Sequence, residues 1–569
     1  MKHRTAWRDF VVFFAPLAVL CGFAFFYHLG AAALFEPDEG RNADKARDIL
    51  LLSDWITPYT NFVPALDKPI FYYWLVAIAY KIFGVSEFSA RLPSALAGLA
   101  CVVLVYYFAK RYLGPQTALW SSLVLVGSVE YLLLARIVIF DMPLALTMTL
   151  SLCAFYAAQR TGDAATRRIS CALMYIGAAA GMLIKGPIGL ILPGMIVVAY
   201  IVAAKKWSLL REMHLFAGTL LVLGIAAPWY IWCEIKNPGY LRYFLWEENF
   251  VRYFTPHFNR PGPWYYFVVV LLVGFLPWTL LLPFVFSRAR KKLRDDAIVF
   301  LLLWAGLPFL FFSLSSSKLP HYILPVFPPL ALLTGGTIAE RLESASNRRV
   351  WPLSLPWLTL IFPLILLAAV LYWPGLAPPE KPRPLSAVFD MLPRALIVFT
   401  AAAAILVGWA SVHHRWKDLA FPVSCAAMLL FVCLTVEATV AVSHFRSSKD
   451  LADRSASLID PQDQLTFYDT YPSSLPFYLH VKQPILMVWS GTKASVMGSF
   501  YIAERNPKPA ADYGAVLVTF DEFKRRWQTR GASLRVFLEK KDFAELADGS
   551  ERSPKVLLDT GHYLLVSNQ

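Results

Sequence analysis

Phe35-Glu36-Pro37-Asp38-Glu39-Gly40-Arg41 follows directly on the first long apolar run of the chain, and Asp67-Lys68-Pro69 stands in the same connecting segment. Carboxylates of this kind orient a nucleophile, take a proton or face developing positive charge. Arg and Lys suit anionic oxygen, phosphate above all, Arg as a bidentate fork and Lys as a point charge. Charge beside a bilayer is costly unless it pairs or works, so this cluster is a candidate functional site. Further ionisable residues interrupt later apolar runs: Arg136 and Asp141, then Glu247, Glu248, Arg252, His257 and Arg260, then Lys318, His321 and Tyr322.

The elements that must position these residues are set by composition. The chain of 569 residues is 57% hydrophobic and 16% charged, with a mean hydropathy of +0.51. That is too apolar for an ordinary soluble enzyme and fits a polytopic membrane protein, mainly α. The net charge of +14 does not indicate nucleic acid, because the basic residues cluster in short loops between apolar runs, the pattern of membrane topology and of anionic-lipid contact. The seven cysteines lie mostly inside apolar runs and form no CxxC pair, so they read as small buried hydrophobes.

About thirteen spans of some 20 residues are expected, near 10–29, 92–110, 116–134, 143–159, 169–184, 187–204, 214–233, 264–286, 297–316, 321–339, 355–373, 393–411 and 419–441. The first is read as a retained anchor, being too long for a signal core and lacking a clear cleavage site. With the N-terminus cytoplasmic, the basic loops fall on one side. This register requires the aromatic stretch 70–84 to lie at the interface without crossing. Lys185 and Arg136 are then exceptions on the outer side. The outer face holds the loop 30–91, the turn near 136–142, the long loop 234–263 and the Ser315-to-Tyr322 turn; the Pro-rich piece Pro374-to-Pro384 is read as another outer loop. From about 442 onward apolar runs shorten to strand length, at 465–468, 484–488, 515–519, 534–538, 556–558 and 563–566, with a helical pattern over 521–530. The organisation expected is a membrane domain over 1–441 and a soluble α/β domain over 442–569 on the periplasmic side. A transporter would place ionisable residues near the midplane and show inverted repeats; here most charges sit at the edges and no repeat is visible.

Glu36-Pro37-Asp38-Glu39, then Asp67-Lys68-Pro69-Ile70-Phe71-Tyr72-Tyr73-Trp74-Leu75, then Phe83 through Ala95, resemble the protein O-mannosyltransferase superfamily of GT-C glycosyltransferases. Within it, Arg41-Asn42-Ala43-Asp44 and the soluble tail are most similar to the bacterial lipid A aminoarabinose transferases, which often carry tyrosine where Asn42 stands. The resemblance implies a GT-C fold in the bacterial inner membrane. It also implies an undecaprenyl phosphate donor carrying 4-amino-4-deoxy-L-arabinose, a lipid A phosphate acceptor at the outer leaflet, and resistance to polymyxin and cationic peptides. A protein O-mannosyltransferase-like or glycan-modifying enzyme is the alternative.

In the implied reaction a phosphate oxygen attacks C1 of the sugar and a lipid phosphate leaves. A phosphate monoester is mostly dianionic at pH 7, its second pKa being about 6, so the demand is for stabilising the leaving phosphate more than for a strong base. Lys68, Arg252 and Tyr322 are the candidates for that phosphate, with Lys318 behind them; Asp38 is the candidate catalytic carboxylate and Asp141 its assistant. Glu39, Arg41 and Arg260 are candidate substrate contacts, and Glu39 or Asp141 is placed to receive the ammonium of an aminosugar. Structural readings compete. Asp38 and Asp141 would serve as helix caps, Glu39 and Arg41 as a local ion pair, Lys68 as a snorkelling lysine, and His257 and His321 as interface residues. No cofactor is indicated; a divalent cation is left open, since no tight ligand spacing supports one.

Overall fold

The computed structural model describes residues 13–255, 262–344, 416–489, 516–529, 533–548 and 552–569. The described chain is mainly helical. Seven helices are long and apolar enough to cross a membrane: Glu87–Tyr112, Asp141–Arg160, Ala164–Lys185, Leu215–Lys236, Asp296–Leu314, Pro320–Glu343 and Ala420–Ser443. The pair Tyr266–Gly274 and Trp278–Lys291, bent by 105°, makes an eighth if taken as one span. Three other expected spans take shorter forms. Ala15–Phe26 and Ile188–Ala204 are short apolar helices, and 116–134 is broken at Gly127-Ser128 into Pro115–Val126 and Val129–Leu134. The expected spans 355–373 and 393–411, and Pro374-to-Pro384, lie outside the described residues. Phe71–Phe83 is a helix of 13 residues, roughly 20 Å long against a hydrocarbon core of about 30 Å, too short to cross.

The chain divides into two compact units. The first comprises Met1–Leu29, Ser94–Pro228 and Asn249–Ala441. Its helices approach closely where small residues remove side-chain bulk, as membrane helices do. A Cβ on Gly177 would stand 2.8 Å from the Thr147 carbonyl oxygen, one on Gly335 would stand 2.3 Å from Ser121 Oγ, and one on Gly189 would stand 2.1 Å from the backbone carbon of Gly181. Arg136, which the expected topology sets against the charge rule, donates to the carbonyls of Ala24 (2.8 Å) and Tyr27 (2.5 Å). It thereby satisfies the open C-terminus of the Ala15–Phe26 helix, where a cation is favoured.

The second unit comprises Gly30–Pro93, Trp229–Glu248 and Val442–Gln569. A hairpin pairs β1 (Tyr59–Thr60) with β2 (Val63–Pro64), turning through Asn61 and Phe62 at φ 51° and 62°. The tail forms β3 (Gln464–Tyr468), β4 (Leu486–Trp489), β5 (Leu517–Thr519), β6 (Leu534–Glu539), β7 (Lys555–Asp559) and β8 (Tyr563–Ser567), with a helix at Phe520–Gln528. The sheet order is β5-β4-β3-β6-β8-β7. β5, β4, β3 and β6 run parallel, while β8 is antiparallel to both β6 and β7. Strand alternation sends Phe467, Met487, Phe537 and Leu565 into one core and Tyr468, Val488, Val536 and Val566 into another. Val63 and Ala65 belong to the first of these cores, so the loop before the second span and the tail share buried apolar surface. Asn61 completes the join, exchanging two 2.8 Å hydrogen bonds with the backbone of Ile485.

Gly189→Val is expected to lower the thermal midpoint of the detergent-purified protein. Overpacking a tight contact typically costs about 1–3 kcal/mol, and here the added carbons would meet backbone. Gly194→Val, where nothing lies within 4 Å of the added Cβ, is the control. Equal midpoints for the two variants would refute the Gly181–Gly189 contact.

Candidate functional site

In the second unit the Asp38–Leu52 helix begins at Asp38 itself, with Pro37 in the cap position. Asp38 therefore lies in the first turn, where a carboxylate is favoured by the helix dipole, and is not the cap. One stripe of this helix, at i, i+3 and i+7, carries Asp38, Arg41 and Lys45. Arg41 donates to Asp38 Oδ1 at 2.5 Å, and the Asp38 side chain remains 46% exposed. Lys45 is buried against Asp67 at 2.6 Å. Lys68 donates to Glu248 Oε1 (2.7 Å) and to the carbonyl of Asp67 (2.8 Å). Three cations and three carboxylates thus interleave around the 38–45 stripe and the Asp67-Lys68 pair.

Glu39, expected to touch substrate, points elsewhere. Arg91 grips both of its oxygens at 2.7 and 2.8 Å and donates to the carbonyls of Ala32 (2.6 Å) and Ala33 (3.0 Å). Glu39 also accepts the Phe35 N–H at 2.9 Å. Glu36 accepts from the backbone N–H groups of Ser473 and Ser474, both at 2.7 Å, and from two serine hydroxyls. These two acids hold the turn that presents Asp38.

The electrostatics follow from burial and neighbours. Burial alone would raise the pKa of Asp67, but Lys45, then Lys68 and Arg41, more than offset it and hold the carboxyl well below its ordinary range. Burial, then Arg41 and Lys68, pull Lys45 below a normal lysine against the opposing pull of Asp67. On the other side of the helix, burial and the neighbouring Asp44 carboxylate push Asp48 well above a normal carboxyl, against Arg47.

In the first unit, Asp141 opens the Asp141–Arg160 helix, again one residue inside a cap position held by Phe140. Lys185, at the end of Ala164–Lys185, donates to Asp141 Oδ1, and His321 Nε2 stands 3.7 Å from Oδ2. The Lys185 ammonium also lies over the Tyr322 ring, 4.6 Å from its centroid. Arg252 donates to the Tyr322 hydroxyl at 3.2 Å. Lys318 turns back to the carbonyl of Ser315 at 2.5 Å. Arg252 is carried on helix, where the sequence suggested a long loop: Arg242–Val251 is a wide π-type helix running into Arg252–Phe254, a form that recurs at functional sites. Arg260 and His257 lie outside the described residues.

The structure therefore gathers Asp38, Arg41 and Lys68 in one unit, and Asp141, Arg252 and Tyr322 in the other. The sequence alone gives no role to Lys45, Arg91 or Glu248, reads His321 as an interface residue, and offers Lys185-Gly186-Pro187 either as lining for the substrate cavity or as a plain hairpin turn. The Arg41-to-Lys45 spacing of four was the one legible signal; the other partners are remote in sequence. Among the described residues no group of three or more His, Cys, Asp or Glu gathers as metal ligands do.

Comparison with known proteins bears on the family and the fold. Residues 67–232 match the dolichyl-phosphate-mannose-protein mannosyltransferase family. The chain is 35% identical over 339 residues to undecaprenyl phosphate-alpha-4-amino-4-deoxy-L-arabinose arabinosyl transferase 1 of Pseudomonas fluorescens, covering 58% of this chain and 60% of that one. To the corresponding transferase of Pseudomonas aeruginosa UCBPP-PA14 it is 30% identical over 426 residues, 73% of each chain. The match spans 60% of the length of the Pseudomonas fluorescens and Edwardsiella ictaluri relatives. The crystal structure of ArnT from Cupriavidus metallidurans bound to undecaprenyl phosphate superposes over 97% of each chain, with a TM-score of 0.82 and 26% identity.

Asp67 and Asp48 predict opposite pH behaviour. Asp67 titrates lower folded than unfolded. Its stabilisation is full above the unfolded pKa of about 3.9 and is lost as pH falls through the lower folded value. Asp48 titrates higher folded than unfolded, so its contribution is full below the unfolded pKa and declines as pH rises toward the folded one. Asp67→Asn should lower the midpoint strongly at pH 7, by about 3–5 kcal/mol for a buried charge left unpaired. Asp48→Asn should match the parent near pH 4 and exceed it at pH 7. Thermal midpoints taken from pH 4 to 8 check both; a constant offset for Asp48→Asn across that range would contradict the assignment.

Proposed function

The chain belongs to the family of undecaprenyl phosphate 4-amino-4-deoxy-L-arabinose arabinosyl transferases, and from that premise we propose that it moves 4-amino-4-deoxy-L-arabinose from undecaprenyl phosphate onto a phosphate of lipid A. The observation that carries this reading is the near full-length likeness to a transferase whose crystal structure holds undecaprenyl phosphate. The reaction places the protein in a bacterial inner membrane. The N-terminus is cytoplasmic, the membrane domain over 1–441 carries the chemistry, and the domain over 442–569 is periplasmic. The product has a less anionic surface, which confers resistance to polymyxin and other cationic peptides.

A lipid A phosphate oxygen forms the new bond to C1 of the sugar, the bond from C1 to the carrier phosphate breaks, and undecaprenyl phosphate leaves with the electron pair. The nucleophile arrives as an anion, so Asp38 serves to orient it, take its residual proton and face the positive charge that grows on the sugar. The half-exposed side chain of Asp38, tethered by Arg41, suits that duty. Lys68 meets a lipid phosphate by exchanging Glu248 for it. Arg252 and the Tyr322 hydroxyl offer a fork and a donor to phosphate, with Lys318 in reserve, and Asp141 steadies Lys185. Arg41 and Arg260 contact substrate. Glu39, taken up by Arg91, serves by fixing the turn that presents Asp38.

The test is lipid A mass spectrometry in a producing strain without its own aminoarabinose transferase. Expression of the chain should add the mass of one aminopentose. Asp38→Ala should abolish the added mass, and Lys68→Gln should cut turnover by about 100-fold or more, the scale of losing a preorganised charge donor. Unmodified lipid A from abundant folded protein would overturn the reading, and full activity of Asp38→Ala would remove Asp38 from catalysis.

A further inference from the structure

Glu130 is the anomaly of the first unit. It lies in the Val129–Leu134 helix, is only 8% exposed, and among the described residues neither carboxylate oxygen has a hydrogen-bond partner. Every other buried acid discussed above is held by a cation or by N–H groups. Its surroundings make matters worse for an anion. Gly274 ends the Tyr266–Gly274 helix just before the chain bends, and a Cβ there would stand 2.4 Å from Glu130 Oε2. The carboxyl thus faces a helix C-terminus, which carries partial negative charge, and Asp141 adds a further negative field. Non-helical backbone at membrane depth occurs where it is buried in protein or lines a cavity, and carbonyl-bearing half-helix ends there coordinate cations. The missing side chain at Gly274 lets the Glu130 carboxyl lie against that helix end, and a carboxylate beside a helix C-terminus favours positive charge there.

We infer that Glu130 receives the ammonium group of the aminosugar and sets the enzyme's preference for an amino over a neutral sugar. The inference rests on the transferase reading above. The ligand of that reading is zwitterionic, with phosphate on C1 and ammonium on C4 across the ring. The first unit carries the matching pattern: Arg252 and Tyr322 for phosphate, and, among the described residues, an unpaired acid within electrostatic reach of Asp141. The two acids first suited to the ammonium are already taken, Glu39 by Arg91 and Asp141 by Lys185. A site built around a polar group rejects the analogue that leaves that group unpaired.

The experiment compares transfer to lipid A from the polyprenyl phosphate aminosugar and from its N-acetylated, uncharged counterpart. The proteins are the purified full chain, Glu130→Gln and Glu130→Asp. The parent should favour the amino donor. Glu130→Gln should lose about 30-fold or more in kcat/KM on that donor, mostly through KM, keep its rate on the neutral donor and show a thermal midpoint at or above the parent's. Glu130→Asp should keep the preference. A Glu130→Gln enzyme with parental KM and parental preference overturns the inference while leaving the transferase reading intact. A parent enzyme that transfers neither sugar overturns the transferase reading, and the inference falls with it.

Discussion

The bidentate pair between Arg91 and Glu39 is the interaction on which the first loop depends. Both side chains are buried, and Arg91 gives two further donors to the carbonyls of Ala32 and Ala33. One guanidinium therefore ties the entry to the loop, the turn before Asp38 and the start of the Glu87–Tyr112 helix. Lysine has no fork with which to hold two carboxylate oxygens and two carbonyls together. With the turn fixed, the Asp38–Leu52 helix can start only one way, and its stripe of Asp38, Arg41 and Lys45 meets Asp67 and Lys68. The helix is polar in composition yet largely buried. Pairing of its charges, not apolar character, is what lets it leave water, since a buried charge is tolerated only with a partner.

What the sequence disclosed and what it hid divide along this line. The tail strands were legible because alternation at period two is local, and each of Gln464–Tyr468, Leu534–Glu539 and Tyr563–Ser567 lies where its apolar run predicts. The acidic motif at 36–39 was legible because charge beside an apolar run is conspicuous. The partners were illegible: Glu39 with Arg91, Lys68 with Glu248 and Asp141 with Lys185 are separated by tens to hundreds of residues, and nothing local encodes them. Helix integrity was also hidden. Gly127 and Ser128 break an apolar stretch that composition alone reads as one span. The Arg242–Val251 helix lies within a stretch too polar to read as a span, so the sequence alone gives a loop there. The two cations that the expected topology sets against the charge rule proved informative, since Arg136 caps a helix end and Lys185 pairs with Asp141.

A single electrostatic logic runs through each unit taken by itself. The cations suited to phosphate are already held by carboxylates: Arg41 by Asp38, Lys45 by Asp67, Lys68 by Glu248 and Lys185 by Asp141. These pairs let the empty protein fold without burying naked charge. They also set a threshold for binding. A neutral or weakly polar ligand gains nothing by displacing a carboxylate from an ammonium, whereas a phosphate brings equal or greater charge and more acceptor oxygens. The exchange is close to isoelectric, so its free-energy cost is far below that of stripping a lone lysine of water. Glu130 is the complementary case, an acid that has no hydrogen-bond partner among the described residues. Phosphate sites that are pre-neutralised and an ammonium site that is not would together select a ligand carrying both charges, and would release it once the bond to the carrier phosphate is broken and the two charges part.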